Sequence, residues 1–219
     1  MKTSTWKFLV AYDGAMVDAP QTTTETTRRG AYEKGVRRRQ EILDRAIEVF
    51  AERGAQGTSL RAIGEAIGVS HAALKHYFDS REELLIEVYR AAEERSIVDD
   101  PAPGGSSVVG VMTHAARRNH GVPGLVQLYS TLVASALESG HEHARAFFSA
   151  RFEGLRRLLA AQVREEQEAG RIRADLAPEA VAALIIAASD GLQTQWLLDP
   201  AVDIEKSLSL LEGLLERPR

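Results

Sequence analysis

Apolar residues recur at helical spacing along most of the chain. Ile42, Leu43, Ala46, Val49 and Phe50 form one face of a first helix, which Gly54 ends. Leu60, Ile63 and Ile67 face one way in a short second helix, and Gly68 supplies the left-handed residue that closes it. Ser70 caps a third helix running to about Tyr77, and Asp79 or Ser80 opens a fourth with Leu84, Leu85 and Val88 inward. Asp99 to Ser107 holds two Pro and two Gly in nine residues, so no helix runs through it. Beyond it the pattern predicts helices at 107–119, 123–138, 142–169, 178–197 and 203–216, with Pro123, Pro178 and Pro200 at the breaks. No stretch alternates as a strand with hairpin turns does, and no internal repeat is present. The predicted fold is all-α: an N-terminal three-helix helix-turn-helix domain over 28–90, and a C-terminal helical bundle over 107–219. Residues 1–27, with the polar run Gln21 to Thr27, are expected to form a disordered tail.

Charge separates the two halves. The formal net charge of the 219 residues is −4. Residues 28–90 hold 12 Lys/Arg against 10 Asp/Glu, densest around Arg37, Arg38 and Arg39, whereas 91–219 hold 13 against 18. That asymmetry suits an N-terminal module that meets phosphate. The chain has no cysteine, which excludes disulfide and thiolate chemistry and suits a reducing cytoplasm. No apolar run approaches the roughly 20 residues a membrane helix needs, and Phe8 to Ala11 is too short for a signal-peptide core. A cytoplasmic protein without membrane contact is expected.

Thr58 to Phe78 carries the strongest signal. Leu60, Ile63, Ile67, Val69 and Leu74 can lock two short helices at a steep angle, and Ala62, Gly64 and Ala66 let them approach closely. The second helix then presents Ser70, His71, Ala72, Lys75 and His76 outward, a polar and small face that fits a major groove. With Ile42-Leu43 through Gly54, Thr58-Ser59-Leu60, Gly68-Val69-Ser70, Leu74, Tyr77-Phe78 and Ser80 to Leu84, the region 35–90 resembles the TetR family of transcriptional regulators. Asp190 to Gln193 and Trp196 to Pro200 resemble the dimerising C-terminal region of one large subgroup. The chain departs from the usual pattern at Ala73 and Lys75, where many members carry Thr and Tyr.

The resemblance implies a repressor that binds a palindromic double-stranded DNA operator as a homodimer and is released by a small-molecule effector; a ligand-responsive activator fits the same residues. Thr58 and Ser59 sit at a helix start and can meet a phosphate. Lys75, His76 and Tyr77 are placed for backbone oxygens, Ser70, His71 and Ala72 for base edges, and Arg37 to Arg39 for flanking phosphates. The alternative for the two His and the Arg run is plain solvation. Val181, Leu184, Ile185, Ala188 and Leu192 recur along one helix, and Leu208, Leu211 and Leu215 along the last; these faces either dimerise or pack internally. A ligand cavity follows from the resemblance alone, with Met112, Arg117, Tyr129, Phe147, Phe148, Phe152 and Trp196 as candidate lining residues.

An enzyme finds little support. No phosphate-cradling Gly loop, nucleophile elbow or HExxH is present, so no catalytic residue, metal ligand or cofactor is expected. His141-Glu142-His143 places its imidazoles at i, i+2, on different sides of a helix, and His114 and His120 have no evident partners. A helical protein-interaction module would account for the apolar faces but not for the basic, small-residue helix-turn-helix.

Overall fold

The computed structural model describes residues 25–54 and 59–216, which hold nine α-helices and no strand. Helix α1 (Glu25–Arg53), α2 (Leu60–Ile67), α3 (His71–Tyr77) and α4 (Arg81–Asp99) form the N-terminal unit. Helices α5 (Val108–His120), α6 (Leu125–Ala136), α7 (Glu142–Glu168), α8 (Pro178–Leu198) and α9 (Ile204–Leu215) form the bundle. The bundle helices fall within two residues of the bounds read from periodicity. Helix α1 starts earlier than expected. Glu25 to Thr27, assigned to the disordered tail, are its first turn; extending an existing helix adds one hydrogen bond for each residue fixed, without a new nucleation cost. The rest of that tail lies outside the described residues.

Caps set the short helices. Ser59 Oγ accepts from Ala62 N at 3.1 Å, Ser70 Oγ from Ala73 N at 3.1 Å, and Ser80 Oγ from Glu83 N at 3.0 Å. Each such bond satisfies an N–H the helix cannot, and contributes about 1 kcal/mol. Gly68 closes α2 at φ +72. Gly64 is demanded by packing: a Cβ there would lie 2.5 Å from Val69 O and 3.2 Å from Leu74 Cδ1. Only a hydrogen at that position lets the turn fold back over α2. Arg45 on α1 donates to Ile67 O at 2.8 Å and ties the end of α2 to α1.

Two apolar cores result. The first joins Ile42, Phe50, Ile63, Leu74, Phe78, Leu84 and Tyr89 to Leu125, Leu128 and Leu132 of α6 and Ala144 and Phe148 of α7. It therefore crosses the Pro/Gly break that appears in the sequence as a domain boundary. The second packs α5, the later half of α7, α8 and α9 around Leu159, Val163, Ile185 and Leu208. Gly124, at φ +77, lets α6 start directly against α1; a Cβ there would meet Ala51 Cα at 2.8 Å. His141 Nδ1, just before α7, lies 2.6 Å from Glu82 Oε1 on α4.

Helix α8 corrects the hydropathy reading. Its 21 residues include an 18-residue window of mean hydropathy 1.2, long and apolar enough by composition to cross a membrane. The apolarity has a local use, since Val181, Ala182, Ile185 and Ile186 fill the second core.

Candidate nucleic-acid interface and ligand cavity

Helix α3 hangs on the molecule by one buried side chain, Leu74, with Ala73 and Tyr77 partly covered. Ser70, His71, Ala72, Lys75 and His76 are exposed along its outer side. Ser59 stands exposed at the start of α2; its oxygen is occupied by the cap, which leaves its proton free to be donated. Thr58 lies outside the described residues. Arg37 and Arg38 are exposed on α1, Arg38 bonded to Glu41 at 2.8 Å. Arg39 departs from the expected role: it bonds Glu87 on α4 at 2.7 Å with its guanidinium 5.0 Å from the centre of the Phe78 ring. That side chain fastens α1 to α4 instead of standing free for phosphate. Its neighbours Arg37 and Arg38 project elsewhere because successive helical residues are turned by about 100°.

A cavity of about 70 Å³ lies inside the bundle between α4, α5, α6, α7 and α8. Its walls are mostly apolar, with Ile97, Met112, Leu125, Leu155 and Leu159 among them. Four charged side chains also line it: Glu93, Arg118, Arg151 and Asp190. Arg151 donates to both oxygens of Glu93, at 2.6 and 2.7 Å, and Tyr89 OH donates to Glu93 Oε1 at 2.9 Å. Tyr129 OH donates to Asp190 Oδ2 at 2.8 Å. Burial works against the Arg151 charge, but Glu93 with the two tyrosines outweighs it and raises the pKa. Burial raises the Asp190 carboxyl, and pushes both tyrosine hydroxyls well up. An open groove of about 710 Å³ between α4 and α7 adjoins the cavity and shares Glu93, Ile97, Arg151, Leu155 and Leu158 with it.

Two sequence profiles match the chain. Residues 42–88 match the bacterial regulatory proteins of the tetR family, and 126–217 match the C-terminal part of the BetI-type transcriptional repressors. The chain belongs to the TetR family. The HTH-type transcriptional repressor KstR2 of Rhodococcus jostii is 45% identical over 53 residues, 24% of this chain and 26% of that protein. The chain thus matches about a quarter of the length of that relative. A TetR-family regulator from Rhodococcus sp. shares the fold at a TM-score of 0.67 and 24% identity, over 82% of this chain and 97% of that one. AibR, solved with isovaleryl coenzyme A and operator DNA, shares it at 0.59 and 21% identity, over 83% and 100%.

On this TetR scaffold the cavity gathers only part of the expected lining. Met112 and Tyr129 line it. Phe148 is core, Phe152 packs between the two cores, and Phe147 faces the groove instead. Trp196 stacks on His120 at 4.0 Å beside Arg117, in a separate depression. Arg117 points outward, whereas the adjacent Arg118 turns in. His141 is used by Glu82, and His143 lines the groove.

The polar lining, Tyr89, Glu93, Arg118, Asn119, Arg151 and Asp190, was missed, although a signal existed. Arg151 follows Phe147 by four and precedes Leu155 by four, and Glu93 sits between Tyr89 and Ile97 in the same way. A charge set within an apolar stripe is aimed inward.

The proposed dimer face also divides. Val181, Ile185, Leu208 and Leu215 are buried in the protomer's own second core, with Ala188, Leu192 and Leu211 packed against it. Periodicity identified the apolar stripe correctly but could not say which partner covers it. Of the eight residues, Leu184 faces out, 53% exposed, as do Leu210 at 67% and Leu214 at 65% on α9.

Proposed function

We propose that this chain is a transcriptional repressor that binds a palindromic DNA operator as a homodimer and is released when a small molecule enters the bundle. The observation that carries this reading is the short helix α3, held by Leu74 and exposing Ser70, His71, Ala72, Lys75 and His76. Ser70, His71 and Ala72 lie at its leading end and read base edges, Ala72 through a thymine methyl. Lys75, His76 and Tyr77, with Ser59, Thr58, Arg37 and Arg38, hold backbone phosphates. The chain works in the cytoplasm, where bacterial DNA is reached.

The homodimer forms through the outward faces of α8 and α9. Leu184, Leu198, Leu210 and Leu214 are exposed there, and Ala183, Ala187 and Gly191 give a backbone close enough for a partner helix. Two copies of the pair make a four-helix interface about a two-fold axis, which supplies two recognition helices for two half-sites. Release follows from α4, which carries cavity residues Tyr89 and Glu93 and also Glu87, the partner of Arg39 on α1. An occupant that shifts α4 respaces the recognition helices. AibR, of the same fold, was solved in complex with isovaleryl coenzyme A and operator DNA, which supports a scaffold that takes both a small molecule and DNA.

Selection of bound duplexes from a random pool tests the proposal and should enrich an inverted repeat whose affinity falls steeply with salt. Lys75→Ala should weaken binding to all sequences alike and lower the salt slope by about 1. A change in sequence preference would place Lys75 on bases. Leu214→Glu should give a monomer in sedimentation and abolish operator binding. No enriched repeat, or a monomeric parent protein, sinks the reading.

A further inference from the structure

The charges lining the cavity are unequally answered. Arg151 and Glu93 satisfy each other through two bonds. Asp190 accepts from Tyr129, and burial raises its pKa, so it can shed its charge by taking up a proton. Arg118 has no such exit, because an arginine keeps its proton at any pH a folded protein meets. Its Nη1 donates to Asp100 O at 3.3 Å, while its Nε is shielded from water and donates to nothing. No ion pair to Arg118 occurs among the described residues; Glu93 and Asp100 attract it from further away, and Arg151 opposes them. The adjoining Asn119 Oδ1 is likewise buried without a partner.

Resting on the effector-released repressor reading, we propose that the effector is an apolar monocarboxylate whose carboxylate seats on Arg118. Asn119 stands beside it, and its amide can turn its NH2 toward the same group. Glu93 and the faces of Tyr89 and Tyr129, which an organic cation would use, are already taken. The Arg151 guanidinium lies over the Tyr89 and Tyr129 rings, 5.4 and 6.0 Å from their centres, and also holds Glu93. The protein's own cation fills its aromatic and acidic box. The interior space of about 70 Å³ admits a compact head and little more. The hydrocarbon body is therefore slender, and it runs past Leu155 and Leu158, which are shared with the groove between α4 and α7. Its exit lies along α4, the helix through which release is transmitted.

Calorimetric titration of the full chain with sodium decanoate, 1-decanol and decyltrimethylammonium bromide tests this. Decanoate should bind at least about tenfold more tightly than either other probe. Arg118→Gln should bring decanoate down to the level of decanol while decanol binding stays unchanged, which also shows the cavity intact. Arg118→Lys, which keeps the charge, should bind decanoate more tightly than Arg118→Gln. The proposal is overturned if decyltrimethylammonium binds best, if decanol matches decanoate, if none of the three binds, or if Arg118→Gln leaves decanoate affinity unchanged. Operator binding that persists in a protein blind to decanoate sinks the carboxylate and spares the repressor. Decanoate binding by a protein without an operator supports the carboxylate and sinks the repressor.

Discussion

The interior around α1 to α4 and the interior of the bundle are made of different material. In the first, the helix-turn-helix is locked by apolar side chains, by Gly64 at a contact no larger residue fits, and by serine caps, with its charges kept to the periphery. In the second, which α4 borders through Tyr89 and Glu93, an arginine, two carboxylates and two tyrosine hydroxyls meet between four helices beside a small interior cavity. On the proposed function the first region reads DNA and must hold one shape, which dense apolar packing gives. The second receives a small molecule and must have more than one arrangement of similar free energy. A buried polar network suits this, since its bonds can be exchanged for those of a ligand.

Breaking the network should have the largest effect. Arg151→Met leaves Glu93 buried without its cation and should cost about 3–5 kcal/mol in urea unfolding. Adding Glu93→Gln should return most of that, since the loss is the stranded charge and not the lost contact. A cost under about 1 kcal/mol would mean that Glu93 reaches water, and the contrast between the two interiors would fade.

Close packing in the reader should come next. Gly64→Ala forces a Cβ against Val69 O and should cost about 1–3 kcal/mol, with loss of DNA binding. Gly154→Ala, on α7 with nothing within 4 Å of the new Cβ, should instead gain up to about 1 kcal/mol from helix propensity. Equal effects at the two sites would show that backbone entropy, not the helix–helix approach, governs Gly64.

The smallest effect sharpens the bundle side. The folded pKa of Asp190 is raised, so its protonated form stabilises the fold and that contribution is lost as pH rises through the folded value. Asn cannot ionise and can still accept from Tyr129. The melting temperature of Asp190→Asn relative to the parent should therefore rise between about pH 4 and about pH 7.5. A gap that narrows with pH would make the ionised carboxylate a stabilising group.

How much the sequence revealed follows the same division. The reader is built from contacts a few residues apart, such as Ser70 to Ala73 and Gly64 to Val69, so spacing alone located its helices, caps and exposed face. Arg39 was the exception there, because its partner Glu87 lies 48 residues away. In the bundle the helices were legible and the cavity was not. Arg151 and Glu93 are separated by 58 residues, and Tyr129 and Asp190 by 61, so their meeting depends on how helices cross. Apolar stripes such as Val181 and Ile185 show that a face is covered, but a protomer's own core and a partner subunit cover it alike.

The first core does not stop where the chain changes composition. Leu125, Leu128, Leu132 and Phe148 close over Phe50, Leu84 and Tyr89, and Gly124 presses α6 onto Ala51. A chimaera cut at the Pro/Gly stretch would hand the reader a foreign roof and expose its leucines to water. Any lineage that swaps sensors onto this reader must carry α6 and the start of α7 along with it, or rebuild both sides of that seam together.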